Sequence, residues 1–263
     1  MSTLVLKVLL TPALVAVASL AGRRWGPGVS GWFVGFPFTS GPVALFLALD
    51  HGTDFAAVAA VGTLGGTISQ VAFCLGYALV AHQYGWLSAL GAGTIGFAAV
   101  TSVLQVLPLA AVPLLLVVSG SVLAALHLLP DHGVETRAQP LPRWDLPARM
   151  ILATLVVVLL TGFAQALGPR LTGSLAPYPV YAGVLAIFAH RQQGPGAAGQ
   201  VLRGLLFGLF GFAGFFTALA VLLSRIGIPA AFLAAIAVAL TIQAVTLRVL
   251  RGTGGPAAGN PPT

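Results

Sequence analysis

The sequence predicts an all-α, polytopic membrane protein of about nine transmembrane helices, arranged as two inverted four-helix repeats joined by a linking helix, with broken helices in each repeat. Three observations lead there. The first is composition: 58% of the 263 residues are hydrophobic and only 6% are charged, against about 25% charged in a soluble domain. So little polar surface cannot cover a soluble globule. The second is the run of apolar segments near the 20 residues needed to cross a bilayer. The third is a duplicated stretch. Gly26–Gly52 aligns without a gap on Gly168–Gly194, 142 positions later, and Gly26/Gly168, Pro27/Pro169, Gly31/Gly173, Pro37/Pro179, Gly41/Gly183, Ala44/Ala186, Phe46/Phe188 and Gly52/Gly194 are identical.

The spans fall near 3–21, 31–49, 55–81, 86–104, 107–129, 149–167, 174–190, 197–223 and 228–247. The first has the look of a signal peptide, with Lys7 ahead of an apolar run that ends in small residues. The same offset pairs it with an internal span, so it is expected to be a retained helix. Residues 1–105 form the first repeat, 106–130 the linking helix, 131–147 a polar cytoplasmic loop, 148–250 the second repeat and 251–263 a disordered Gly/Pro-rich tail. Four spans plus one bring the second copy into the membrane from the opposite side, an arrangement found in secondary transporters. The linking span, which has no counterpart, is a linker or a homodimer contact.

Charge sets the orientation. Arg23, Arg24, Arg137, Arg143, Arg149, Arg191, Arg203, Arg248 and Arg251 fall on one face, and Lys7, Arg170 and Arg225 on the other. Basic residues collect on the cytoplasmic side, which puts the N-terminus outside and the C-terminus inside. The net charge of +7 is scattered at span ends, so it reads as topology and not as a nucleic-acid surface. One cysteine, Cys74, excludes an intrachain disulfide and a cysteine metal cluster. His82, His127 and His132 lack metal-ligand spacing, and no cofactor is expected.

The duplicated stretch carries the candidate chemistry. Pro37 breaks any helix entering from Trp32. Thr39 and Ser40 before Gly41-Pro42 suit a helix restart near Ser40–Pro42. A helix start at membrane depth exposes N–H donors at the positive end of a dipole, a natural site for an anion or polar group. The second copy repeats the break at Pro177 and Pro179, with a restart near Tyr181–Gly183 and hydroxyls from Tyr178 and Tyr181. Thr39, Ser40, Gly41, Tyr178, Tyr181 and Gly183 are therefore the candidate substrate-binding residues, in a cavity between the two breaks. The bland alternative is that the prolines only kink two packed helices; its duplication favours a site.

Asp50 and His51 are candidates for coupling to a proton or sodium ion. Asp54 suits an N-cap for the span starting at Phe55. Gly62, Gly65, Gly66, Gly204, Gly208, Gly211 and Gly214 read as packing faces against the broken helices. Ser69 and Gln70, polar residues midway along an apolar span, are able to line a cavity or satisfy a neighbour's carbonyl. Arg203 either lines a cavity or reaches the interface.

Thr39-Ser40-Gly41, then Ala48, then Asp50-His51-Gly52-Thr53-Asp54 resembles AbrB-type membrane proteins, which carry a small-residue and proline cluster, a helix and a Gly-x-Asp turn. Here Pro42 follows the small cluster, and the second copy has Gly194-Pro195-Gly196 in place of that turn. The layout is more distantly similar to bile-acid-symporter-like inverted-repeat transporters, whose broken helices cross near the midplane. The resemblance implies transport or export of a small molecule.

The functional expectation is a secondary active transporter or exporter of a small polar or anionic solute, working by alternating access in the cell membrane. No Walker, HExxH or GxSxG motif is present, and the chain is expected not to be an enzyme. The alternatives are a non-transporting scaffold and an intramembrane enzyme.

Overall fold

The computed structural model describes residues 27–38, 40–107, 110–129 and 144–253, together with isolated positions 5, 9, 12, 13 and 16. Among them all regular structure is helical, in ten elements. They are α1 (Pro27–Val34), α2 (Ser40–His51), α3 (Thr53–Ala81), α4 (Trp86–Gln105), α5 (Ala111–Leu128), α6 (Asp145–Gly162), α7 (Ala164–Leu175), α8 (Val180–Gln193), α9 (Pro195–Ile226) and α10 (Ile228–Thr253). The expected first span, most of the polar loop and the tail beyond 253 lie outside the described residues.

Five helices are long and apolar enough to cross a membrane: α3, α4, α5, α9 and the Ile228–Arg248 part of α10. The chain is a multi-pass membrane protein on that ground. The expected count of nine is not reached among the described residues. Segments 31–49 and 174–190 are not continuous spans: each divides into two short helices around its prolines. Segment 149–167 also divides, because α6 stops at Gly162 and α7, which starts at Ala164, is kinked at Gly168, where φ is 74° and ψ 164°. A hydropathy window reads composition and cannot see where the hydrogen-bond ladder stops.

The long helices α3 and α9 form the centre. They pack against each other, each lies against its own following helix (α4 or α10), and each lies against a short helix of the other copy (α7 or α1). The outer helices keep large apolar side chains on the surface, among them Ile95 on α4, Leu116 on α5 and Leu233 on α10. Such faces suit hydrocarbon, where apolar exposure costs nothing. Helix α5 buries Leu114, Val118, Val122 and Ala125 on one side and packs across both α3 and α9. It therefore ties the two copies together, more than a linker does.

Element boundaries recur at the offset of the duplicated stretch. Helices α2 and α8 end at His51 and Gln193, α3 and α9 begin at Thr53 and Pro195, and α4 and α10 begin at Trp86 and Ile228, each pair 142 positions apart. Contacts recur too, with partners exchanged. A Cβ on Gly31 would strike the Val201 carbonyl, and one on Gly173 would strike the Ala59 carbonyl; each residue of the second contact is the equivalent of one in the first. Likewise a Cβ on Gly208 would meet the Trp32 carbonyl as one on Gly66 would meet the Ser174 carbonyl, and a Cβ on Gly41 would lie 3.8 Å from Phe215 as one on Gly183 would lie 3.7 Å from Phe73. Of the glycines expected to pack against the broken helices, Gly62, Gly66 and Gly208 do so. Gly211 and Gly214 instead meet Gln243 and Ile242 on α10, and Gly65 meets Leu114 on α5.

The turn between α2 and α3 is also repeated. Gly52 has φ 89° and ψ 167°, and Gly194 has φ 90° and ψ 176°. That region is open to glycine almost alone. Gly52 is the N-cap of α3, and Asp54 falls inside its first turn, so Asp54 is not the expected N-cap. Its carboxylate still favours the positive helix end. Gly194→Ala is expected to destabilise the protein by about 1–2 kcal/mol, strain of about 1–3 kcal/mol offset by the smaller entropy of the unfolded chain. The midpoint of thermal unfolding in detergent checks this, and an unchanged midpoint would refute it.

Candidate functional site

The breaks follow from their residues. Helix α1 ends at Val34, and the chain turns through residues 35–38 with Phe36 and Phe38 stacked at 5.0 Å. Pro37 has no N–H to extend the ladder, but its carbonyl accepts from the Gly41 N–H at 2.8 Å and so opens α2. In the second copy α7 ends at Leu175, Pro177 and Pro179 occupy the break, and the Pro179 carbonyl accepts from the Gly183 N–H, also at 2.8 Å. The restart at Val180 is slightly earlier than the expected Tyr181–Gly183.

The two breaks meet. The Ser40 hydroxyl donates to the Ala176 carbonyl at 2.9 Å, joining the start of α2 to the end of α7 across 136 positions. Between the breaks lies a cavity of about 20 Å³, enough for one water-sized group. Its wall includes three pairs of repeat-equivalent residues: Val34 and Ala176, Phe36 and Tyr178, Gln70 and Phe212. The cavity therefore sits where the exchanged contacts of the two copies converge. Its polar groups are unequally shared: Gln70 and Ser40 come from the first copy, and Tyr178 comes from the second.

Gln70 is the decisive residue. It is 6% exposed, and its Oε1 has no hydrogen-bond partner. A buried acceptor left unpaired costs about 1–3 kcal/mol. Neighbouring Ser69 is satisfied, since the Thr101 hydroxyl donates to its Oγ at 2.8 Å. The Tyr178 hydroxyl pairs with Thr94 at 2.9 Å, and the ring packs edge-on against Phe97.

Of the residues expected at the site, Ser40 and Tyr178 line the cavity. Gly41 and Gly183 lie beside it in the first turns of α2 and α8, each against a buried Phe. Thr39 lies outside the described residues, as does the side chain of Tyr181, whose backbone belongs to α8. Asp50 and His51 are not brought to the breaks. They sit at the far end of α2, about 15 Å along its axis at 1.5 Å per residue. Asp50 is exposed, and the His51 ring lies 4.9 Å from that of Phe55.

Among the described residues no cationic side chain lines the cavity, and the first-turn N–H groups of Gly41 and Val180 are engaged by the Pro37 and Tyr178 carbonyls. Arg170, expected only as a topology signal, instead donates to the carbonyls of Leu104 (3.1 Å) and Leu107. It thereby satisfies carbonyls at the end of α4. Arg203 is half-buried. Among the described residues no group of three His, Cys, Asp or Glu side chains is placed to hold a metal.

The polar residues of α4 were missed in the sequence. Thr94, Thr101 and Gln105 bond to Tyr178, Ser69 and Ser174 respectively. Their signal was present: recurring polar side chains along an otherwise apolar span. A second, larger pocket of about 510 Å³ adjoins the crossing and is lined by α4, α6, α7 and the start of α8. No family model matches the chain, and no curated protein or solved structure matches it either.

Proposed function

We propose that the protein is a secondary active transporter of a small solute, working by alternating access between two inverted repeats. The supporting observation is the cavity between the two breaks, walled by equivalent residues of both copies, with the polar side chains of Ser40, Gln70 and Tyr178 on its wall. Broken helices at membrane depth free backbone groups that require protein, water or a ligand. Two copies that meet through exchanged contacts offer two equivalent arrangements, which alternating access uses. In this reading the arginine-rich face is cytoplasmic, the N-terminus outside and the C-terminus inside. The chemistry of the crossing favours an uncharged polar group over an anion.

An intramembrane enzyme is disfavoured by position. The Ser40 hydroxyl hydrogen is committed to Ala176. The base candidates Asp50 and His51 lie a helix length away, beyond hydrogen-bond reach.

The test is a flux screen in proteoliposomes against protein-free vesicles. Ser40→Ala removes the bond between the breaks and is expected to lower flux on the order of tenfold, the equivalent of one net hydrogen bond. Asp50→Asn, with and without a proton or sodium gradient, tests coupling at the end of α2. No flux of any solute above background, or flux indifferent to Ser40→Ala, would overturn the site.

A further inference from the structure

The larger space is a groove on the outside of the bundle, between α4, α6 and α7. Ala98, Ser102 and Leu159 on its rim are exposed, and Phe97 and Thr101 behind them are buried. Its hydroxyls are already engaged: Thr94 with Tyr178, Thr101 with Ser69 and Ser102 with the Ala98 carbonyl. The surface it offers is therefore apolar, and on the outer face of a membrane-spanning bundle such a surface meets acyl chains. Along α4 the lining runs from Thr94 to Ser102, about 12 Å at 1.5 Å per residue.

The two ends of the groove differ. Helix α4 has 20 residues, about 30 Å, which matches the hydrocarbon core of a bilayer. Its end at Gln105 therefore lies at a membrane surface. There, just beyond Ser102, Arg170 donates through Nη2 to the Leu104 and Leu107 carbonyls. Among the described residues its bonds go to neutral carbonyls through Nη2 alone, so Nε–H and Nη1–H remain as donors beside the groove. At the other end Tyr178 and Val180 line both the groove and the crossing cavity. The other copy is built differently: Leu240, Phe33 and Phe38 are the equivalents of Ala98, Leu175 and Val180, and Gly28 is the equivalent of Arg170. The smaller side chains and the cation occur together, on one side of the molecule.

We infer that this groove binds one phospholipid of net negative charge, with its phosphodiester on Arg170 and an acyl chain lying along α4 as far as Tyr178. The chain gains little by leaving other lipid tails, which are equally apolar, so the headgroup contact sets the preference. A guanidinium fork matches phosphate oxygens, and basic sites between transmembrane helices favour anionic headgroups. A zwitterionic lipid carries an ammonium that offsets the same attraction. The chain end covers Tyr178 and Val180, the layer between the crossing and the bilayer, and so seals the crossing on that side. The inference rests on the membrane-spanning fold and is independent of transport.

The test is native mass spectrometry of the full chain in detergent, titrated with dioleoyl phosphatidylglycerol and with dioleoyl phosphatidylcholine. The two have the same chains and differ in net charge. The first bound lipid is expected to be held about fivefold more tightly when it is phosphatidylglycerol. Arg170→Gln is expected to bring that ratio close to one. Ala98→Leu, which places on the rim the residue found in the other copy, is expected to remove the tightly held lipid of either kind. Leu116→Phe, on the exposed face of α5, is expected to change neither result. Equal affinity for the two lipids in the native protein, or a preference that survives Arg170→Gln, would overturn the headgroup assignment. A first lipid held as tightly after Ala98→Leu would overturn the groove. Because Arg170 also closes the end of α4, Arg170→Gln is read only if it extracts as a single species; the native ratio and Ala98→Leu decide the inference without it.

Discussion

Gly173→Ala is expected to prevent assembly of the helix bundle, and Gly31→Ala is expected to fail in the same way. At each position an added Cβ falls well under 3.0 Å from a backbone carbonyl of the facing long helix, Ala59 for Gly173 and Val201 for Gly31. A flexible side chain in that place could rotate away, but a carbonyl within a helix cannot. The helices would have to part, and the loss would spread to every contact along the seam. In a bilayer, association depends on such close packing, because lipid is as apolar as the helix surface. Overpacking of this kind costs about 3 kcal/mol or more. The readout is recovery of a monodisperse peak after detergent extraction. Gly120→Ala and Gly162→Ala are the controls: a Cβ there meets nothing within 4 Å, and each should extract like the native protein. The paired design also bears on the repeat. The two contacts are the same contact with the copies exchanged, so tolerance at one and failure at the other would mean that the two interfaces are not equivalent.

The breaks were legible because Pro and Gly act locally. Pro37, Pro177 and Pro179 interrupt a ladder wherever they stand, and Gly52 and Gly194 mark corners that side chains resist. The duplication carried each local reading from one copy to the other, which is why the starts of α3 and α9 and of α4 and α10 were found together. What stayed hidden depends on contact across long separations. Ser69 and Gln70 are adjacent and alike in the sequence, yet one receives the Thr101 hydroxyl and the other receives nothing. Hydropathy placed both on a span; only packing tells which is satisfied. Asp50 and His51 were read at the turn that follows the half-helix and they stand there, the ten residues from Ser40 becoming about 15 Å along the axis of α2. The anion expectation rested on free donors at both helix starts, and only packing shows that the N–H groups of Gly41 and Val180 are already taken by the Pro37 and Tyr178 carbonyls.

On the proposed transport reading, replacing Gln70 by Leu is expected to stabilise the protein while abolishing flux. Residues kept for packing and residues kept for a ligand respond differently to such a change. A core glutamine with both ends paired loses hydrogen bonds when it becomes Leu, and stability falls. Gln70 lines a cavity of about 20 Å³ and has a buried, unpaired Oε1. Removing that atom lifts a desolvation penalty of about 1–3 kcal/mol, and Leu brings apolar surface against Phe212, Val34 and Ala176 on the same wall. The second copy already carries an apolar residue, Phe212, at the equivalent position, so the crossing accommodates one. The unfolding midpoint in detergent should therefore rise, while flux in proteoliposomes should drop to that of protein-free vesicles. A lower midpoint with flux preserved would make Gln70 a structural residue and leave the crossing without a ligand group. Stability given up at a functional site is a common trade. Here the unpaired acceptor falls on one copy alone, at a wall of the crossing where the other copy has Phe212.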